Sequence, residues 1–121
     1  MKTYYVGMDV HKATIVIAVL DANGRVVSQS IIETSTQAVR DFFKSLRGEV
    51  DVTFEEGNHA AWLYDVVEPL VKHLVVCNPK HNHLLKQGSK NDRIDAGKLA
   101  DLLRLNSLPR SAGQRVSQTC L

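Results

Sequence analysis

Two acidic residues three positions apart open a stretch of good helix formers late in the chain. Asp92 and Asp95 lie in the segment Lys-Asn-Asp-Arg-Ile-Asp-Ala at residues 90–96. Asn91 is a favoured N-cap residue, so both acids fall in the first turn of a predicted helix that ends near Leu105. Because residues three apart are neighbours on one helix face, the two carboxylates are expected to project together.

Leucines continue the same helix face below the two acids. Leu99, Leu102 and Leu103 have the spacing of an apolar stripe, which predicts that the helix packs on a sheet and directs its acids beyond the sheet edge. Acids in the first turn of a helix also interact favourably with the helix dipole, so by themselves they do not indicate a functional site. Two further acids elsewhere in the chain change that interpretation.

Asp9 and Glu55 each stand at or near the end of an apolar, strand-like run. A carboxylate at the end of a buried strand is costly unless it is paired or binds a cation. Strand alternation places Glu55 on the face opposite Phe54, and it directs the neighbouring Glu56 the other way, towards solvent. Glu56 remains the alternative to Glu55.

Four acids on three elements that can converge predict a divalent-metal site. Oxygen donors without cysteine ligands or paired histidines favour Mg²⁺ or Mn²⁺ over zinc. Two such ions about 4 Å apart can activate the attacking oxygen and stabilise the leaving oxygen in phosphoryl transfer. The predicted ligands and catalytic residues are Asp9, Glu55, Asp92 and Asp95.

Basic residues surround these acids and predict contacts with a phosphate backbone, which Lys and Arg bind without reading sequence. The net charge of +2 is compatible with a nucleic-acid partner but does not demonstrate one. His11 and His59 are close to the acids in sequence and are candidate substrate contacts. The candidate phosphate-binding residues are Lys12, Lys90, Arg93 and Lys98; solvated surface lysines are the alternative.

The chain has 121 residues and 44% hydrophobic residues, which fits one domain with a real core. Its two cysteines, Cys77 and Cys120, make no disulfide framework, and Cys77 lies in an apolar run where a buried thiol is expected. The N-terminus lacks the apolar stretch of a signal peptide, and no run reaches membrane-spanning length. We therefore expect a cytoplasmic protein without a membrane partner.

The order of predicted elements is βββαβαβα, an α/β arrangement with a mixed sheet and helices packed on it. Its first strand would be central and its fourth would lie beside it, as in the ribonuclease-H-like fold, so that Asp9 and Glu55 become neighbours. Residues 1–105 form the predicted domain, and residues 106–121 read as a linker or disordered tail. The predicted strands are 4–9, 13–20, 25–32, 50–55 and 74–77; the helices are 34–46, 60–71 and 91–105, with Gly48 as the C-cap glycine of the first.

Four motifs, in order and spacing, resemble one protein family over residues 4–104. They are Gly-Met-Asp-Val-His-Lys at 7–12, Phe-Glu-Glu-Gly at 54–57, Cys-Asn-Pro at 77–79 and the segment at 90–96, which is the most specific of them. The family is that of the DEDD transposases of bacterial insertion sequences, which are relatives of the Piv site-specific DNA invertase. The resemblance implies a RuvC-like domain whose four acids bind divalent metal.

The same resemblance implies a bacterial transposase or site-specific recombinase that acts on DNA, forms a homo-oligomer at full length and uses a structured guide RNA. Family members continue into a helical domain with a serine nucleophile, and nothing after Arg104 resembles that domain. Metal-dependent cleavage and strand transfer are therefore expected to be incomplete in this chain. The first alternative is an inactive remnant that only binds nucleic acid or partner chains. An actin-like ATP-binding fold is disfavoured, because His11 and Lys12 stand where its phosphate loop needs small residues.

Overall fold

The computed structural model describes residues 2–78, 95–105 and 117–119. The strands and helices within these ranges follow the predicted order, with one additional strand. The strands are β1 (Thr3–Val10), β2 (Thr14–Leu20), β3 (Val26–Glu33), β4 (Glu49–Glu55), β5 (His73–Asn78) and β6 (Ser117–Thr119). The helices are α1 (Thr36–Lys44), α2 (Ala60–Val67) and α3 (Ala96–Arg104), and a short 3₁₀ turn (Glu68–Leu70) follows α2.

The strands form one six-stranded sheet in the order β3-β2-β1-β4-β5-β6. β1 pairs antiparallel with β2, and β2 pairs antiparallel with β3. β1 pairs in parallel with β4, β4 with β5, and β5 with β6. The predicted mixed sheet of the ribonuclease-H-like fold is thus confirmed, with the first strand central and the fourth beside it.

The hairpin between β2 and β3 is set by its turn residues. Gly24 has a φ of +86°, a conformation that glycine adopts at no steric cost. The Asp21 carboxylate accepts hydrogen bonds from the backbone N–H groups of Asn23 at 2.9 Å and Arg25 at 3.0 Å. Those bonds fix the turn that the sequence predicts at this position.

Helix α1 begins where predicted and ends earlier. The Ser35 hydroxyl caps its N-terminus by accepting from the backbone N–H of Ala38. The C-cap is Ser45, so the prediction that Gly48 ends the helix is wrong. Gly48 has a φ of +150° just before β4, and a Cβ there would overlap the backbone oxygen of Lys2. Gly48 therefore allows β4 to approach the start of β1 closely, and it does not cap the helix.

Helix α2 gives way to a 3₁₀ turn at Glu68, and Pro69 lies within that turn. Proline in a helix interior removes a backbone hydrogen bond and clashes with the preceding turn. The predicted effect of Pro69 on the end of this helix is therefore confirmed.

The sheet carries a hydrophobic core on each face. Helices α1 and α2 cover the larger core, whose largest fully buried side chains include Met8, Ile17, Phe54 and Leu63. Helix α3 covers the other face through the smaller core of Val75, Cys77, Leu99 and Leu103. Leu102 is partly buried against that second core. The leucine stripe thus packs on the sheet as predicted.

Helix α3 starts later than the sequence predicts. Its first residue is Ala96, and Asp95 is the N-cap, with its side chain accepting a hydrogen bond from the backbone N–H of Lys98 at 2.8 Å. The prediction that Asp95 lies inside the first turn is wrong, because its short carboxylate caps the helix instead. Asn91 and Asp92 lie outside the described residues.

Gly7 allows α3 to lie directly on β1. A Cβ at Gly7 would overlap the backbone oxygen of Ala96 and lie 2.7 Å from the backbone nitrogen of Ala100. Strand alternation puts Gly7 and Asp9 on the same face of the sheet. The Gly-x-Asp pattern therefore brings the start of α3 close to the strand end that carries Asp9.

Strand β6 is a structural feature that the sequence does not predict. Residues 117–119 pair with the end of β5, in a part of the chain expected to be linker or disordered tail. This pairing sets Gln118 opposite Cys77. The burial predicted for Cys77 is confirmed, but the prediction of a free thiol is wrong, since its sulfur is in a disulfide. Cys120 lies outside the described residues.

Within the described ranges, no helix combines the length and the apolar character needed to cross a bilayer.

Candidate functional site

The carboxyl ends of β1 and β4 form the floor of a pocket, which we call the acid pocket. Its volume is about 220 Å³. The walls come from the ends of these two strands, the loop that follows β4 and the start of α2. The lining residues are Met8, Asp9, Val10, Phe54, Glu55, Glu56, Gly57, Asn58, His59 and Ala60.

Asp9 and Glu55 are side by side in this pocket because of the register between their strands. Met8 of β1 lies opposite Phe54 of β4 in parallel pairing, and one residue further along each strand come the two acids. Adjacent strands are about 4.8 Å apart. The predicted proximity of Asp9 and Glu55 is therefore present in the structure.

Asp9 is held by a histidine from the loop that follows its own strand. The distance from His11 Nε2 to Asp9 Oδ2 is 3.2 Å, and the two side chains are 41% and 16% exposed. The backbone of His11 is itself fixed, since its N–H donates to the backbone oxygen of Thr14 and its own oxygen accepts from the Thr34 hydroxyl. His11 thus contacts an acid of the pocket and orients its carboxylate.

Glu55 and Glu56 both line the pocket, with different surroundings. Glu55 is the last residue of β4, lies opposite Cys77 of β5 and is partly buried. Glu56 is exposed, and its backbone N–H donates to the backbone oxygen of Cys77 at 2.7 Å. The choice of Glu55 over Glu56 as a ligand stays a prediction, and the greater burial of Glu55 supports it.

The loop between β4 and α2 adds polar groups to the pocket. His59, a predicted substrate contact, is the N-cap residue of α2, and its side chain makes no capping hydrogen bond. Asn58 lines the pocket as well and was not predicted from the sequence. The signal was available, because a Gly-Asn pair directly after a strand-end acid marks a polar loop at the same sheet edge.

Asp95 is not among the residues that line the acid pocket. It lines a separate groove of about 350 Å³ between the start of α3 and the outer strands β2 and β3. Asp92 lies outside the described residues. Among the residues that the structure describes, no group of three or more His, Cys, Asp or Glu side chains is arranged to hold a metal ion. The structure therefore brings together two of the four predicted ligands.

The predicted phosphate-binding residues are only partly within the described ranges. Lys12 is exposed in the loop after β1, three residues beyond Asp9. Lys98 is exposed on the first turn of α3, where its backbone N–H is bonded to Asp95. Lys90 and Arg93 lie outside the described residues. Lys12 and Lys98 thus flank the two elements that carry the predicted acids.

A second polar pair joins β4 to β5, away from the acid pocket. The buried Asp51 contacts His73 of β5, with 3.0 Å between Asp51 Oδ1 and His73 Nδ1. The buried Thr53 hydroxyl lies 3.0 Å from the Cys77 sulfur. These contacts were not predicted from the sequence, although strand alternation places Asp51, Thr53 and Glu55 on one face.

The donor set of the acid pocket fits a hard divalent cation. Two carboxylates at matching positions on neighbouring strands repel one another unless a cation or a proton lies between them. Carboxylate and amide oxygens are the ligands that Mg²⁺ and Mn²⁺ accept, and the pocket offers Asp9, Glu55 and Asn58. This arrangement can hold part of a metal coordination sphere at the edge of the sheet.

The comparisons with known proteins agree with this architecture. The family model for DEDD transposases of the IS110 type, described as "Transposase", matches residues 6–119. A relative from Leptospira borgpetersenii, the "Transposase for insertion sequence element IS1533", is 33% identical over 107 residues. That alignment covers 83% of this chain and 30% of the relative, so the chain spans about a third of the relative's length.

Proposed function

Because the chain belongs to the DEDD transposase family, we propose that it is the N-terminal catalytic portion of an insertion-sequence transposase or site-specific recombinase. In this proposal it takes part in divalent-metal-dependent cleavage of DNA phosphodiesters and in strand transfer.

The observation that carries the proposal is the pairing of Asp9 with Glu55. Both acids end central, parallel strands and line one pocket, and Asp9 is only 16% exposed. Close, like-charged carboxylates cost free energy unless a cation or another positively charged group lies beside them. The cost is removed when a cation lies between them, which supports a metal-binding role.

The proposed ligands of Mg²⁺ or Mn²⁺ are Asp9 and Glu55, completed by Asp92 and Asp95. Such ions activate the attacking oxygen and stabilise charge on the phosphate during phosphoryl transfer. The Asp95 Oδ1 atom accepts from the Lys98 N–H, and the carboxylate retains further lone pairs for a metal ion. His11 holds the Asp9 carboxylate in place, as ligand-orienting partners do in metal sites.

The proposed partner is DNA. Lys12 and Lys98 are exposed beside the acid-bearing elements and are suited to bind backbone phosphates, together with Lys90 and Arg93. We also propose, from the family resemblance, a structured guide RNA as a second nucleic-acid partner, a homo-oligomer at full length and the bacterial cytoplasm as the site of action.

A DNA assay on the 121-residue chain tests the proposed function. Fluorescence anisotropy measures binding to branched and linear duplex DNA, and gel electrophoresis of the same samples measures cleavage with Mg²⁺, with Mn²⁺ and with EDTA. We expect metal-dependent binding to branched DNA, reduced in Lys12→Ala and Lys98→Ala but not in Arg40→Ala, whose side chain is exposed on α1. Binding without any metal dependence would instead support the alternative of a remnant that only binds nucleic acid.

A further inference from the structure

The loop between β1 and β2, residues 11–13, carries the histidine that contacts Asp9, and little packing holds this loop. Lys12 and Ala13 are exposed, and the His11 side chain is 41% exposed. A segment with few buried contacts opens easily unless hydrogen bonds hold it. The His11 N–H donates to the backbone oxygen of Thr14 at 2.9 Å, which fixes the N–H of His11 but not its carbonyl group.

Thr34, which is 23 residues further along the chain than His11, makes two hydrogen bonds to this loop. Its backbone N–H donates to the backbone oxygen of Ala13 at 3.0 Å, and its hydroxyl donates to the backbone oxygen of His11 at 2.8 Å. The hydroxyl bond is partly buried, where the loss of a partner costs more free energy than it does in water. One residue therefore holds both ends of the loop, and a substitution can remove its hydroxyl bond alone.

Helix capping does not account for the hydroxyl of Thr34. The N-cap residue of α1 is Ser35, and the Ser35 hydroxyl accepts from the backbone N–H of Ala38 at 3.2 Å. The Thr34 hydroxyl instead donates to the loop between β1 and β2. Its contact thus belongs to the segment that carries His11 and not to the helix that follows it.

Thr34 can anchor the loop because the chain on both sides of it is itself fixed. Before Thr34, strand β3 pairs with β2 up to its last residue. After it, the Thr36 hydroxyl accepts from Trp62 Nε1 at 3.0 Å, which joins the start of α1 to α2. The His11 carbonyl is therefore bonded to a residue that lies between the sheet and the two helices on one of its faces.

We propose that Thr34 is a positioning residue of the acid pocket, which acts on Asp9 through His11. The Thr34 hydroxyl holds the His11 backbone, and the His11 ring then lies with Nε2 3.2 Å from Asp9 Oδ2. Partners that orient a metal ligand in this way raise the affinity of the site for its ion. The metal-binding role of Asp9 rests on the proposed function, whereas the positioning rests on the hydrogen bonds of Thr34 and His11.

A Mn²⁺ titration by isothermal calorimetry tests whether Thr34 acts on the metal site. Thr34→Val keeps the shape of the side chain and removes its hydroxyl. We expect it to weaken Mn²⁺ binding about threefold to tenfold, less than the loss of a group that contacts a ligand directly. Thr34→Ser retains the hydroxyl and should restore the wild-type affinity. Thr14→Val is the matched control, because it removes an exposed hydroxyl beside the same loop, and circular dichroism verifies that every variant is folded.

A double-mutant cycle tests whether Thr34 acts through His11. In the His11→Ala background, Thr34→Val should have little further effect on Mn²⁺ affinity, because the ring that transmits the effect is absent. An undiminished effect in that background would overturn the proposal. Equal effects of Thr34→Val and Thr14→Val, or a failure of Thr34→Ser to restore the affinity, would overturn it as well.

NMR of the metal-free chain, at one pH, separates this proposal from the proposed function. The ring nitrogen signals of His11 are assigned by their absence in His11→Ala. We expect Thr34→Val to shift them in the same direction as Asp9→Asn does, because both changes release the ring from the carboxylate, whereas Thr14→Val should leave them in place. If this shift is seen but the wild type binds no Mn²⁺, the positioning is supported and the metal centre is wrong. Unmoved His11 signals in Thr34→Val would overturn the positioning role whatever the metal titration shows.

Discussion

The carboxylate of Asp9 illustrates how one side chain is prepared for chemistry by its neighbours. The apolar residues before it bury the strand, Gly7 admits the helix beside it, and His11 lies 3.2 Å from its Oδ2 atom. The contact with His11 limits the orientations available to the carboxylate. A side chain that is already oriented loses less conformational entropy when it binds a metal ion.

The two adjacent glutamates differ enough to be separated by mutation. We expect Glu55→Gln to lower the affinity for Mn²⁺ at least about tenfold, because a neutral amide replaces a proposed ligand that is partly buried beside Asp9. Glu56→Gln is the control, since Glu56 is exposed, and its effect should be much smaller. Isothermal titration calorimetry measures both. A larger loss in Glu56→Gln than in Glu55→Gln would reverse the assignment.

Asp21 gives a pH-dependent prediction away from the acid pocket. The backbone N–H groups of Arg25 and Asn23 hold the pKa of the Asp21 carboxyl below its ordinary value of 3.8, the bond from Arg25 having the largest effect. A lowered folded-state pKa means that the stabilisation is present above 3.8 and is lost as the pH falls through the folded-state value. Asp21→Asn should therefore destabilise the chain at pH 7 and have a smaller effect in acid.

Urea unfolding of the wild type and Asp21→Asn, at neutral pH and at successively lower pH, measures this difference. The gap in the free energy of unfolding is expected to shrink as Asp21 becomes protonated in the wild type. A gap that stays constant with pH would show that the charge of Asp21 does not stabilise the turn.

At the scale of the elements, the close contact of α3 with β1 depends on Gly7, which has no side chain. We expect Gly7→Ala to destabilise the chain by about 1–3 kcal/mol, because the added methyl overlaps the Ala96 backbone oxygen and the helix must shift. Gly57→Ala is the control, since a Cβ at Gly57 meets nothing within 4 Å. Urea unfolding measures both. Equal stability of the two variants would mean that α3 does not need this close approach.

The start and end of elements show where sequence patterns stop being informative. The Asp21–Gly24 turn and the Ser35 cap were predictable, because a local hydrogen bond or a positive φ determines each. The assignment of Gly48 as a helix C-cap failed, since its backbone is set by contact with Lys2, which is distant in sequence. The predicted start of α3 was wrong for a related reason. Several polar residues compete as N-caps, and the packing of Ala96 on Gly7 is not visible in the local sequence pattern.

For the molecule as a whole, α3 is attached to the sheet by a small core. Leu99 and Leu103 are fully buried, whereas Leu102 is only partly buried. We expect Leu99→Ala to lower the free energy of unfolding by about 2–5 kcal/mol, because it leaves a cavity between helix and sheet. Leu102→Ala should cost distinctly less. Similar losses from both variants, measured by urea unfolding, would indicate that α3 packs on the sheet in a different rotation.

The overall sheet was predictable from the order of the elements, and so was the proximity of Asp9 to Glu55. Both follow from apolar strands whose ends carry acids and from the parallel pairing of β1 with β4. Strand β6 was not predictable, because three polar residues have no strand pattern of their own and β5 supplies their pairing. The position of Asp95 in a groove beside α3 was not predictable either, since it depends on the exact start of α3.

The central claim is that the acid pocket binds a divalent cation, and a Mn²⁺ titration of the 121-residue chain by isothermal calorimetry tests it most directly. We predict saturable binding by the wild type and its loss in Asp9→Asn. Asp41→Asn, which removes an exposed carboxylate on α1, should bind as the wild type does. Absence of binding by the wild type, or equal binding by Asp9→Asn, would contradict the assignment of Asp9 as a ligand and with it the proposed metal centre.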